Sequence, residues 1–125
     1  YCTIVHFVRT LLLAEDAPTR TQMAAKNILV TGGNAGIGLA LCRQLAVDHG
    51  AKVYMAARNA ERGAAGIKAI MDAHPDAAVE LVLMDVADDA SVTAAAAKMK
   101  EQGVTLYGLV NNAGVGLGTG DTGEA

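Results

Sequence analysis

From Asn27 onward, short apolar runs alternate with longer stretches whose apolar residues recur at helical spacing. Asn27–Thr31 (NILVT) is apolar and β-prone, and Gly32-Gly33 ends it. Ile37, Leu41 and Leu45 then mark one face of a helix running to about His49, with Gly50 as its stop. Lys52–Ala57 (KVYMAA) predicts a second strand. Ala60–Ala73 predicts a second helix carrying Ile67, Ile70 and Met71, softened by Gly63 and Gly66. A turn at His74-Pro75-Asp76 precedes a third strand, Val79–Met84. Asp88-Asp89 places negative charge where a helix begins, Val92, Ala95, Ala96 and Met99 follow at helical spacing, and Gly103 ends it. Leu106–Val110 is the fourth strand, leading into Asn111-Asn112-Ala113-Gly114 and a glycine-rich, aperiodic end that predicts loop.

Continuous apolar strands joined by helical crossovers imply a parallel sheet covered on both faces. Right-handed crossovers favour a doubly wound α/β architecture. A reversal of direction after the third strand gives the spatial order 3-2-1-4 for these four strands, with a ligand crevice beside strands one and four. Four strands are half of a usual dinucleotide-binding sheet, so the expected sheet is incomplete.

Composition narrows the function classes. With 52% hydrophobic and 18% charged residues, the chain can bury a core and is not a disordered segment. A net charge of −3 without a Lys/Arg cluster argues against a nucleic-acid surface. Cys2 and Cys42 lack metal or CxxC spacing and read as ordinary thiols in a reducing compartment. No stretch reaches the roughly 18–20 apolar residues of a membrane span. Tyr1–Gln22 reads as a leader or non-domain segment, with Met23–Ala125 the domain. The expected location is cytoplasmic, or an organelle if Tyr1–Gln22 is a targeting leader.

The strongest chemical signal is Thr31-Gly32-Gly33-Asn34-Ala35-Gly36-Ile37-Gly38, between the first strand and first helix. Gly32 permits a tight exit from the strand, Gly36 leaves room for a pyrophosphate, and Gly38 lets helix and strand pack closely. The helix N-terminus would offer its N–H groups to the phosphates. The spacing is G-x3-G-x-G, neither G-x-G-x-x-G nor a P-loop. A plain turn would also collect glycines. Arg58 ends strand two, with Arg62 four residues on. An acidic residue here would hold a ribose 2′-hydroxyl, whereas a guanidinium suits a 2′-phosphate. Both arginines could also be solvated charges at a helix start. Asp85, after strand three, can accept from an adenine amino group or cap a helix. Asn111 can tie the end of strand four to neighbouring backbone and face the adenine ribose, while Ala113-Gly114 keep space clear.

Together TGGNAGIG, AARNAERG, the Asp85-Val86 step and NNAG resemble the short-chain dehydrogenase/reductase family from Asn27 to about Val115. TGGNAGIGLALCRQL with Arg58 and Arg62 is similar to the carbonyl-reductase branch, and VYMAARN to retinol-dehydrogenase-like members. The resemblance implies a Rossmann-type fold and NADP contacts from Gly32, Asn34, Gly36, Ile37, Arg58, Arg62, Asp85, Val86 and Asn111. Gly38, Ala113 and Gly114 complete the expected cofactor-binding set. It also implies hydride transfer between NADPH and a carbonyl or alcohol, a small-molecule substrate. The family's YxxxK pair, whose Tyr protonates the carbonyl oxygen, has no match here. The residues four beyond the three tyrosines are Val5, Arg58 and Asn111. His6, His49 and His74 pair with no nucleophile, and no metal constellation occurs. The expectation is therefore the cofactor-binding half of an oxidoreductase, inactive by itself. The alternative is a truncated, non-catalytic nucleotide-binding module, either a sensor or a pseudoenzyme.

Overall fold

Burial on both faces explains why the first two strands are apolar without alternation. In the computed structural model, which describes residues 26–114, the strands form one 4-stranded sheet in the order β3-β2-β1-β4. The strands are β1 (Asn27–Thr31), β2 (Lys52–Ala57), β3 (Val79–Leu83) and β4 (Gly108–Val110). Every pairing is parallel, with Ile28 opposite Val53 on one side and Gly108 on the other. The expected leader Tyr1–Gln22, Cys2 and the glycine-rich stretch 115–125 lie outside the described residues.

Three helical segments cover the sheet. The first, α1 (Gly36–Arg43), continues into a wider π turn over Gln44–Asp48, so the single helix expected to about His49 changes pitch near its middle. His49 N–H donates to the Gln44 carbonyl at 3.3 Å, one residue beyond α-helical reach. The extra residue per turn lets both Leu45 and Ala46 face inward, at 1% and 4% exposure. The others are α2 (Ala60–Ala73) and α3 (Asp89–Glu101). Among the described residues no helix is long and apolar enough to cross a membrane.

Successive strand residues serve opposite faces. Ile28, Val30, Val53 and Met55 pack with Leu41, Cys42, Leu45 and Ile70 under α1 and α2. Leu29, Tyr54 and Ala56 pack with Met84, Ala95 and Met99 of the α3 face. On that second face Leu109 stays 47% exposed beside Leu29, and an apolar groove of about 500 Å³ runs between α3 and β4. Strand β4 is shorter than expected, beginning at Gly108 rather than Leu106. Instead of extending the ladder, the Asn27 side chain donates to the Thr105 carbonyl at 3.0 Å, and Tyr107 N–H donates to the Asn27 carbonyl at 2.8 Å.

Candidate functional site

All four parallel strands end at one edge of the sheet, and the sequence motifs lie there: the glycine turn after β1, Arg58 after β2, Asp85-Val86 beyond β3 and Asn111–Gly114 after β4. Ligands of open α/β sheets bind at this edge where the strand order reverses, here between β1 and β4.

The glycine turn is built for close approach. Gly32 and Gly36 have φ of 63° and 56°, a left-handed backbone that side chains disfavour. A Cβ on Gly36 would meet nothing within 4 Å, so space lies open directly before α1. Ala35, the residue preceding that helix, is extended and offers no side-chain cap. The other two helices are capped: Asn59 accepts from Arg62 N–H at 2.9 Å, and Asp88 accepts from Ala90 N–H at 3.0 Å. The start of α1 therefore combines an electropositive helix end, an uncapped first turn and room for an anion. Gly38 is buried deeper, where a Cβ would collide with the Gly32 carbonyl oxygen and the Asn112 amide. Ile37 is 61% exposed beside the opening.

The loop after β4 is tied to this turn, and here one expectation needs correction. Asn112, not Asn111, joins the strand end to neighbouring backbone. Its side-chain amide donates to the carbonyls of Thr31 at 3.1 Å and Gly32 at 3.2 Å. The buried Thr31 hydroxyl accepts from Asn112 and Ala113 N–H, both at 3.0 Å, and donates to the Val110 carbonyl at 3.3 Å. Asn111 is exposed and lines the upper end of the apolar groove with Thr31 and Val86. Period-two alternation was the missed signal: position 111 continues the face of Leu109, and 112 that of Val110. Ala113 packs against Gly32, and Gly114 borders open space.

Arg58 and Arg62 are both exposed, Arg62 in the first turn of α2. Asp85 does not cap α3, since Asp88 does. Its carboxylate accepts from Ala87 N–H at 3.0 Å, while Asp85 N–H donates to the Ser91 hydroxyl at 2.9 Å. The Asp85-Val86 step is thereby a fixed turn at the sheet edge, with Val86 49% exposed. Asn34 sits under α2, against Gly66.

Two other ionisable features are Lys52, at the opposite end of β2, and Cys42, whose thiol lies beneath Gly33 of the glycine turn. Tyr54, 3% exposed, packs in the core of the α3 face, and Lys52 at the start of β2 is held protonated to higher pH by its hydrogen bond to Tyr54 and then by Glu80, 3.3 Å away. Cys42 is buried, and its thiol is pushed up to about 12 by desolvation. Among the described residues no group of three or more His, Cys, Asp or Glu could hold a metal ion.

Known proteins share both the sequence and this geometry. The chain is 48% identical over 94 residues to the short-chain dehydrogenase/reductase drtF of Aspergillus calidoustus, covering 75% of this chain and 30% of that protein. It is 33% identical over 108 residues to retinol dehydrogenase 11 of Homo sapiens, covering 86% of this chain and 34% of the relative. A metagenomic short-chain oxidoreductase, solved in complex with NADP, superimposes with a TM-score of 0.64 at 33% identity, over 75% of this chain and 41% of that one. The chain thus spans about a third of the length of these relatives. The family description "short chain dehydrogenase" matches residues 26–125, and the doubly wound strand order and glycine turn agree with it: this chain belongs to the short chain dehydrogenase family.

Proposed function

We propose that this chain is the cofactor-binding part of an NADP-dependent oxidoreductase that moves hydride between NADPH and a carbonyl or alcohol. The observation that carries the reading is the open, uncapped start of α1, with Arg58 and Arg62 on the neighbouring strand-helix junction. The pyrophosphate would lie over Gly36 and Ile37, accepting from the N–H groups of the first turn. The 2′-phosphate would face Arg58 and Arg62, each charge-assisted bond contributing roughly 1.5–3 kcal/mol. Asp85, Val86 and Asn111 would border the adenosine, and Gly32, Asn34, Gly38, Ala113 and Gly114 shape the floor. The metagenomic short-chain oxidoreductase of similar fold was solved in complex with NADP, which supports a nicotinamide cofactor for this chain. When bound, the nicotinamide supplies the hydride chemistry, and these residues bind and orient it.

The sequence contains no Tyr-x-x-x-Lys. We therefore expect NADPH oxidation by the 125-residue chain, over a panel of ketones and quinones, to match the protein-free rate. Turnover above that rate would require an acid other than this pair. The cofactor assignment is tested by titrating NADPH and NADH against wild type and Arg58→Asp. The substitution should abolish any preference for NADPH, and equal NADPH affinity in the two proteins would overturn the assignment.

A further inference from the structure

The second helix does more than cover the sheet, because it rests on the glycine turn itself. A Cβ on Gly66 would stand 3.2 Å from the Asn34 carbonyl oxygen and 3.3 Å from Asn34 Cα, both backbone atoms. Gly66 is buried, and Arg62 lies one turn earlier on the same face of α2. Asn59 caps the helix and fixes its start next to Arg58. The helix bearing Arg62 is thus seated against the turn that would hold the pyrophosphate, with Gly66 facing the Asn34 backbone. Gly63, three residues earlier, differs: its added Cβ would press on the end of the Leu81 side chain. A leucine can change rotamer, whereas the backbone of a strand-to-helix turn moves only with its flanking elements.

We propose that Gly66 is a positioning residue that sets the separation between the 2′-phosphate cations and the pyrophosphate turn, and thereby the affinity for dinucleotides spanning both. This rests on the NADP reading above. A methyl group at position 66 would shift helix against turn by a few tenths of an ångström without altering either subsite internally. Ligands reaching one subsite would be little affected, and a ligand reaching both would be strained.

Calorimetric titration of the full 125-residue chain with NADPH, ADP and adenosine 2′-phosphate tests this. Gly66→Ala should weaken NADPH about tenfold while ADP and adenosine 2′-phosphate stay within about twofold. Gly63→Ala, the same substitution on the same helix, should leave all three unchanged. Unaltered NADPH binding in Gly66→Ala overturns the proposal, and so does an equal loss for all three ligands, which would make Gly66 a packing residue only. Should Gly66→Ala fail to fold, the wild-type chain supplies the readout: saturating ADP must shift the Gly66 amide resonance more than that of Gly63, and an unmoved Gly66 refutes the coupling. Wild type binding NADPH no better than NADH would remove the underlying reading before any Gly66 variant is made.

Discussion

At the scale of single residues, backbone sign and burial decide what each position tolerates. The sequence marks Gly36 as the place for a pyrophosphate, but its φ of 56° adds a cost that spacing does not reveal. Gly36→Val should therefore lose cofactor binding and also destabilise the chain by roughly 1–2 kcal/mol, since a branched residue strains in that region. Gly36→Asn separates the two effects, because Asn tolerates left-handed backbone while still filling the opening. Thermal melts and NADPH titrations of both should show Asn near wild type in stability and Val below it, with neither binding. Wild-type affinity in the Asn variant would show that the opening holds no ligand. Cys42 gives a pH prediction. Its folded pKa is raised to about 12 from 9.0, so the folded state holds the proton more tightly than the unfolded one. This contribution is fully present below pH 9 and is lost as pH rises toward 12, at about 1.4 kcal/mol per unit within that window. Lys52, also shifted upward, acts in the same direction from 10.5. Urea midpoints at pH 8 and pH 10.5 should fall in wild type and fall less in Cys42→Ala. Parallel decline in the two proteins would remove Cys42 as the cause.

At the scale of elements, the sequence was most legible where packing and local preference agree. The limits of β1, β2 and α2 match their apolar patterns because each is bounded by turn chemistry: Gly32-Gly33, Gly50 and Arg58-Asn59. The end of α1 was not legible, since Leu41 and Leu45 suit either an α or a π turn, and only the sheet beneath decides which brings Leu45 and Ala46 inward together. The seating of α1 depends on Gly38, whose added Cβ would strike the Gly32 carbonyl. Gly38→Ala should cost roughly 1–3 kcal/mol as overpacking. Asn112→Ala frees the Thr31 and Gly32 carbonyls and should cost about 1–3 kcal/mol. Urea unfolding of both variants checks these figures, and losses below about 0.5 kcal/mol would mean that the turn and the β4 loop are held by other contacts.

At the scale of the whole molecule, β4 pairs only with β1 among the described residues, and the groove between α3 and β4 exposes Val86, Val92, Leu106 and Leu109. An open edge beside an apolar surface predicts a shallow thermal melt and loss of soluble protein on concentrating the 125-residue chain. A cooperative melt with a monomeric sedimentation profile would contradict this. The sequence by itself determined the alternation of strands and helices and their parallel arrangement, because apolar periodicity and turn-forming glycines are local properties of the chain. Only the tertiary structure decided that Asn112 rather than Asn111 ties β4 to the turn, that Gly36 is left-handed, and that Gly66 seats α2 on Asn34. Each of these depends on where two elements distant in sequence meet, and that distance is set by the packing of the whole sheet.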